Sequence, residues 1–166
     1  MLLVGGASRR FGSPKALARF RGETLADRAW RLLGDACDER IAVGRSPGLP
    51  FETIDDAADD GGPLAGIVAG LRAARYETVI VIPVDAPLLT VAALQQLGAA
   101  CRDAAIPQTG PLPGAYAKSA LPALEDALAR RDLALRAVVG RIDTVVLELD
   151  PAVLANVNEP SDLERL

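Results

Sequence analysis

The 166-residue sequence contains no histidine. This absence excludes Ser-His-Asp and Cys-His nucleophilic schemes and removes the commonest ligand of transition metals. Any chemistry must therefore rely on carboxylates, lysine, arginine and hard cations. Phosphoryl or nucleotidyl transfer fits this inventory, because such reactions depend mainly on positioning and on neutralising charge.

Cysteine is also scarce, with only Cys37 and Cys101. The two fall on separate predicted helices without metal-ligand spacing, which favours small buried residues in a reducing, cytoplasmic protein. Positive charge is not in excess, since the net charge is −4 and the sequence pI is about 4.9. Nucleic acid and anionic membranes both attract basic surfaces, so the sequence predicts neither as a partner.

Long apolar runs are missing, and the short amino-terminal one is too brief for a membrane span or a signal peptide. Half of the residues are nonetheless hydrophobic and 24% are charged, an ordinary globular composition. A chain of this length can bury a core without disulfides or metals. We therefore predict one domain over residues 1–166.

The amino-terminal stretch joins a short apolar strand to a loop rich in glycine and positive charge. The strand is Leu2–Val4, and the loop contains Gly5, Gly6, Arg9, Arg10, Gly12 and Lys15. Bare backbone and fixed cations at the carboxyl end of a strand form a cradle for phosphate oxygens. The alternative is a glycine-rich turn with solvated basic residues. Neither G-x-x-x-x-G-K-[ST] nor G-x-G-x-x-G fits in register.

A second candidate is Asp85, which follows the β-branched run that starts at Thr78. Such a run is typical of a central parallel strand, and ligands of α/β folds lie beyond the carboxyl ends of these strands. We predict Asp85 as a ligand of Mg²⁺, which usually takes one or two carboxylates together with substrate phosphates. The alternative is a carboxylate that caps the following turn.

An acidic segment precedes a predicted helix. Asp55, Asp56, Asp59 and Asp60 are followed by Gly61, Gly62 and Pro63. The proline suits the first turn of a helix over residues 64–74, whose alanines and glycines would permit close packing. A glycine pair before the helix would let a flat ring lie against the backbone. The alternative for the carboxylates is a solvated loop.

The order of elements predicts an α/β fold, a three-layer α/β/α sandwich with a Rossmann-like, mainly parallel sheet. The region of Ala115 and Val145 is expected to add an antiparallel strand. Later helices are predicted to be capped at Ser119 and Ser161.

Four separated segments together resemble the molybdenum cofactor guanylyltransferases. They are Leu3–Gly6 with Arg10, Phe11, Gly12 and Lys15; Gly62–Gly66; Pro83–Pro87; and Asn156–Leu163. The resemblance covers nearly the whole chain, and it implies the nucleotide-diphospho-sugar transferase type of sandwich. Two positions depart from the family pattern: Gly44 stands where members carry a base-contacting Asn, and Phe11 replaces a Met.

The resemblance also implies roles for particular residues. The nucleotide site would be lined by Leu3, Val4, Gly5, Gly6, Gly62 and Pro63, and Asp56 would contact the nucleotide. Phosphate charge would be stabilised by Arg10 and Lys15, while Asp85 would bind Mg²⁺ and also touch the nucleotide. A closing loop would contain Asn156 and Asn158. Arg10, Lys15 and Asp85 would be the catalytic set.

The implied reaction is Mg²⁺-dependent transfer of GMP from GTP to the terminal phosphate of molybdenum-molybdopterin, with release of pyrophosphate. Proteins that deliver molybdopterin or mature molybdoenzymes would be further partners. Two alternatives stay open: a cytidylyltransferase or sugar-phosphate nucleotidyltransferase of the same fold, and a non-catalytic nucleotide-binding relative. The order Gly5-Gly6 favours the guanine branch.

Overall fold

The computed structural model of the protein describes residues 1–5 and 14–166. Gly6, Arg9, Arg10, Phe11 and Gly12, which the sequence predicts to form most of the phosphate loop, lie outside the described residues.

The core of the structure is a six-stranded sheet with the order β4-β1-β5-β7-β6-β8. Its strands are β1 (Leu2–Leu3), β4 (Ala42–Val43), β5 (Thr78–Pro83), β6 (Ala104–Pro107), β7 (Gly114–Ala117) and β8 (Thr144–Leu147). A separate two-stranded ribbon consists of β2 (Arg19–Phe20) and β3 (Glu23–Thr24). Ile54 forms one further bridge, with Val43.

Five of the six strands in this sheet run in one direction, which confirms the mainly parallel prediction. β1 is parallel to β4 and β5, and β8 is parallel to β6. β7 is antiparallel to β5 and β6. The antiparallel prediction is therefore correct for Ala115 and wrong for Val145, because the helical connection after β7 returns the chain parallel to β6.

The described residues form six α-helices: α1 (Leu25–Ala36), α2 (Gly62–Ala73), α3 (Val91–Ala100), α4 (Leu121–Ala129), α5 (Leu135–Val139) and α6 (Pro160–Arg165). Short 3-10 turns cover Lys15–Leu17, Lys118–Ala120 and Pro151–Leu154. No helix within residues 1–5 and 14–166 has the length and apolar character needed to cross a membrane.

Two predicted helix caps are wrong. Ser119 lies in the 3-10 turn before α4, and its hydroxyl donates to Asp103 Oδ1 at 2.6 Å. The last helix begins at Pro160, because Glu159 and Asp162 form a reciprocal capping box. Both serines lie close to the helix starts, so the elements themselves are as predicted. Thr24 caps α1, accepting a hydrogen bond from the Asp27 N–H at 3.0 Å.

The helices cover both faces of the sheet, which confirms the three-layer α/β/α sandwich. Alternation along β1 sends Leu2 and Val4 into one apolar core, with α1 and α3. Leu3 enters the other core, which contains residues of α2, α4 and α5. α2 lies very close to β1, since a Cβ added at Gly66 would be 2.8 Å from Leu3 Cδ2. The small residues predicted on this helix thus do permit close packing.

The chain turns sharply at Gly44, directly after β4. Its φ is +103°, and a Cβ at this position would lie 2.6 Å from the backbone nitrogen of Gly5. The backbones of Gly44 and Gly5 therefore lie so close together that a side chain at position 44 would not fit between them in this conformation.

We expect Gly44→Ala to lower the free energy of unfolding by about 2–4 kcal/mol, from backbone strain and the forced displacement of Gly5. Gly22→Ala is the matched control, because Gly22 has a similar φ of +91° but open space around its added Cβ. It should lose only about 1 kcal/mol. Urea unfolding of both variants measures the difference, and equal losses would contradict the contact with Gly5.

Candidate active site

A cleft of about 800 Å³ lies across the carboxyl ends of β4, β1 and β5. Three neighbouring strands supply its floor, and the chain segments that follow them supply its walls. The residues lining it are Leu3, Val4, Gly5, Lys15, Val43, Arg45, Asp55, Asp56, Ala58, Asp59, Asp60, Gly61, Gly62, Pro63, Pro83, Val84, Asp85, Leu112 and Asn156. This volume lies in the range of small-molecule and cofactor sites.

An ion pair between Lys15 and Asp85 occupies one end of the cleft. Lys15 Nζ lies 3.0 Å from Asp85 Oδ2, and the side chains are only 16% and 25% exposed. Lys15 opens a 3-10 turn that is anchored by the buried Ala16. Asp85 directly follows the buried Val84, just beyond the end of β5. The fold thus brings a cation and a carboxylate together across 70 residues of sequence.

The carboxyl-terminal segment is fastened to this end of the cleft. Val157 is fully buried, and its N–H donates to the Asp85 backbone oxygen at 2.8 Å. Asn156, the preceding residue, lines the cleft. Asn158 does not line it; its backbone N–H instead donates to Asp162 Oδ2 at 2.8 Å.

Asp162 adds negative charge close to the same end. The backbone N–H groups of Asn158 and Glu159 lower its pKa, and the charges of Arg165 and Lys15 act in the same direction. Lys15 therefore interacts electrostatically with two carboxylates: it contacts Asp85 directly, and its charge also acts on Asp162. The hydrogen bond from the Val157 N–H to the Asp85 oxygen holds the segment around Asn156 next to the ion pair.

Asp56 forms part of the opposite wall, where the chain leaves the bridge at Ile54. A Cβ added to Gly5 would be 3.7 Å from Asp56 Oδ2, and one added to Gly66 would be 3.1 Å from Oδ1. The carboxylate is therefore close to the backbone of both β1 and α2. Partial burial raises the pKa of Asp56, and the negative charge of Asp55 raises it further.

Arg45 also lines the cleft, although its sequence context did not predict a site residue. Its Nε donates to Asp55 Oδ1 at 2.8 Å, while the two side chains are 80% and 70% exposed. The ion pair lowers the pKa of Asp55. The available signal was a basic residue directly after the glycine that ends a strand.

The amino terminus of α2 completes this wall with Gly61, Gly62 and Pro63. Gly62 has a φ of +58°, and no atom lies within 4 Å of a Cβ placed on it. The positive end of a 12-residue helix thus borders an open space without side chains.

The structure brings together most of the residues predicted to form the site. Those that line the one cleft are Leu3, Val4, Gly5, Lys15, Asp56, Gly62, Pro63, Asp85 and Asn156. Asn158 lies outside the lining, and Gly6 and Arg10 fall outside the described residues.

The donor set suits a hard cation only if the substrate supplies further ligands. Within the described part of the chain, no cluster of three or more Cys, Asp or Glu side chains could hold a metal ion. Asp85 offers one carboxylate to the cleft, next to room for a ligand of nucleotide size. Mg²⁺ commonly binds through one or two carboxylates and the phosphates of its substrate, so Asp85 fits this mode.

Comparison with known proteins identifies the chain's relatives. A family profile described as the MobA-like NTP transferase domain matches residues 1–145. A probable molybdenum cofactor guanylyltransferase from Deinococcus radiodurans is 38% identical, over 99% of this chain and 91% of the relative. A molybdenum cofactor guanylyltransferase from Pseudomonas putida is 34% identical, over 99% of this chain and 94% of the relative.

A solved structure shares the architecture. Molybdopterin-guanine dinucleotide biosynthesis protein A from Archaeoglobus fulgidus superposes with a TM-score of 0.82 at 27% identity, covering 99% of this chain and 94% of that one. The sandwich is thus of the nucleotide-diphospho-sugar transferase type, as the resemblance in the sequence implied.

The contrast between Asp55 and Asp56 predicts opposite effects of pH on stability. The pKa of Asp56 is higher in the folded protein than its unfolded value, which is near 3.8. The contribution of Asp56 to the free energy of unfolding therefore falls as the pH rises from the unfolded pKa to the folded pKa. Asp56→Asn should therefore be more stable relative to wild type at pH 7 than at pH 3.

Asp55→Asn is the control with the opposite sign. The pKa of Asp55 is lowered by Arg45, so its contribution is present above the unfolded value and is lost as the pH falls through the folded pKa. This variant should lose stability at pH 7 relative to pH 3. Urea unfolding at both pH values makes the measurement, and the same sign for both variants would refute the assignment.

Proposed function

Because the chain belongs to the MobA-like NTP transferase family, we propose that it is a molybdenum cofactor guanylyltransferase. It would transfer GMP from GTP to the terminal phosphate of molybdenum-molybdopterin, giving the guanine dinucleotide cofactor and pyrophosphate. Relatives that carry this name match nearly the whole chain. The observation that carries the proposal is the Lys15–Asp85 pair at 3.0 Å in a nucleotide-sized cleft.

The position of this pair supports phosphate binding at one end of the cleft. Lys15 and Asp85 lie beyond the end of β5, while Gly5 follows β1 and Asp56 lies beyond β4. Neighbouring strands are about 4.8 Å apart, so the cleft spans about 10 Å from β5 to β4. A nucleotide laid along it would place its phosphates near Lys15 and its base near Asp56.

In the proposed reaction, an oxygen of the molybdopterin phosphate attacks the α-phosphorus of GTP, and the bond to the bridging oxygen of pyrophosphate breaks. A phosphate monoester is already ionised near neutral pH, so no general base is needed. This agrees with a chain that has no histidine. Lys15, with Arg10, would donate hydrogen bonds to phosphate oxygens as negative charge shifts to the leaving group.

Asp85 would hold Mg²⁺ through its carboxylate. When bound, the ion supplies charge neutralisation at the phosphates and orients them. In the structure Asp85 Oδ2 accepts a hydrogen bond from Lys15. Binding of a triphosphate would give Lys15 phosphate oxygens as new acceptors and free the carboxylate.

The other wall would bind the nucleoside. Leu3, Val4 and Gly5 present backbone and apolar surface from the central strand, and Gly62 and Pro63 leave space next to α2. Asn156 would cover the phosphates, because Val157 fixes that segment to Asp85. Asn158 would help to hold the segment through its bond to Asp162 rather than through direct contact.

The same proposal extends to partners and location. GTP and molybdenum-molybdopterin are the proposed substrates, and a molybdopterin-delivering or molybdoenzyme-maturation protein would dock next to the cleft. We propose the cytoplasm as the location, which the two free thiols of Cys37 and Cys101 support.

The decisive test is pyrophosphate release by the purified protein with Mg²⁺, molybdenum-molybdopterin and each of GTP, CTP, ATP and UTP in turn. Release with GTP alone is the expected result. Release with CTP would indicate the cytidine branch, and release with none would indicate a non-catalytic relative.

We expect Lys15→Ala and Asp85→Ala each to reduce kcat by about 10²- to 10³-fold, because each removes one charge contact at the reacting phosphates. Lys118→Ala is the matched control, because Lys118 is the only other lysine in the sequence. It follows Ala117, which pairs with Thr78 at the start of β5, whereas Asp85 lies beyond the end of β5. The activity of this control should equal that of wild type. Wild-type turnover by Asp85→Ala would rule out the metal assignment.

Nucleotide choice can also be measured without turnover. At 100 times its dissociation constant, a ligand stabilises the folded protein by about 2.7 kcal/mol. With Mg²⁺ present, GTP should raise the melting temperature more than CTP, ATP or UTP at the same concentration. Equal shifts from all four would show that the cleft does not select the base.

A further inference from the structure

Arg45 is the only positively charged side chain that lines the cleft on the side of β4, among the described residues. Arg45 follows Gly44, the first residue after β4. It therefore lies two strands away from the Lys15–Asp85 pair, which is at the end of β5. Under the proposed function, the phosphates lie at the β5 end. Arg45 therefore lies where the base would bind.

The guanidinium of Arg45 uses one of its three nitrogens for a hydrogen bond within the described part of the chain. Its Nε donates to Asp55 Oδ1 at 2.8 Å, and the side chain is 80% exposed. Among the described residues, none accepts a hydrogen bond from the two terminal nitrogens. Since arginine presents its donors in a rigid fork, the fixed Nε orients the remaining donors for an incoming ligand.

Guanine is the base whose edge matches this arrangement. It carries two adjacent acceptors, O6 and N7, which arginine binds in bidentate fashion. Adenine has an amino donor in place of O6, and cytosine also has an amino donor. Asp56, on the same wall, offers acceptor oxygens to the N–H groups on the other edge of guanine. A donor fork beside a carboxylate thus complements guanine and opposes adenine and cytosine.

We propose that Arg45 determines base specificity by donating hydrogen bonds to O6 and N7 of guanine, with Asp55 as the residue that positions its guanidinium. The inference rests on the proposed function, since it requires GTP in the cleft.

The test compares GTP with 7-deaza-GTP, which lacks only the N7 acceptor, and with ATP. Dissociation constants are measured by titration calorimetry with Mg²⁺ for wild type, Arg45→Ala, Arg45→Lys and Arg75→Ala. Arg75 is the matched control, because its Nε makes a similar exposed ion pair with Glu39 at 2.9 Å, away from the cleft. Circular dichroism and urea unfolding verify that each variant is folded.

We expect wild type and Arg75→Ala to bind 7-deaza-GTP about 10- to 100-fold more weakly than GTP, which is the value of one hydrogen bond to a charged group. Arg45→Ala should bind GTP more weakly by a similar factor and should no longer distinguish it from 7-deaza-GTP. Arg45→Lys, which keeps the charge but loses the fork, should also lose most of this discrimination.

Other outcomes would overturn the proposal. Equal weakening of GTP, 7-deaza-GTP and ATP by Arg45→Ala would place the arginine at the phosphates or the ribose. Unchanged binding in Arg45→Ala, or the absence of any 7-deaza effect in wild type, would remove it from base recognition. Failure of the proposed function gives a different result: either wild type itself does not bind GTP, or it binds GTP and releases no pyrophosphate, and the calorimetric comparison of the variants does not depend on turnover.

Discussion

The structure depends on the hydrogen bonding of one very short strand, β1, along both of its edges. Leu2 and Val4 donate to Ile41 and Val43 on one side, and the N–H groups of Ile82 and Val84 donate to Met1 and Leu3 on the other. These hydrogen bonds fix β4 and β5 parallel to β1, so that the carboxyl ends of the three strands lie side by side. Every segment that leaves their carboxyl ends must then emerge into the same space, and that space is the cleft.

This constraint explains why residues distant in sequence meet at the site. Lys15, Asp56 and Asp85 each follow a different one of the three strands, and the order of these strands brings all three residues to one cleft. The close packing of α2 on β1, which Gly66 permits, brings the helix amino terminus to the same edge. The backbone of Gly44 lies close to that of Gly5, which lines the cleft.

The sequence was most informative where local pattern and position in the fold coincide. Asp85 was predictable because a long β-branched strand ends just before it, and Lys15 because glycines and cations follow β1. The antiparallel course of β7 was also predictable, whereas the parallel pairing of β8 was not, since it depends on where α4 and α5 return the chain. Arg45 was missed because β4 has only two residues, and its importance comes from the strand order, which brings it to the cleft.

The distribution of basic residues separates two tasks. The chain has sixteen arginines and two lysines, and one of those lysines is Lys15. An ammonium group is a compact charge on a flexible stem, whereas a guanidinium binds in fixed, forked geometry. A residue that must exchange a carboxylate for phosphate oxygens during the proposed reaction benefits from the first property, because the ammonium can change acceptors without a specific alignment. A residue that must distinguish one base edge from another benefits from the second. The choice of lysine beside Asp85 and of arginine beside Asp55 therefore follows from what each end of the cleft would have to bind.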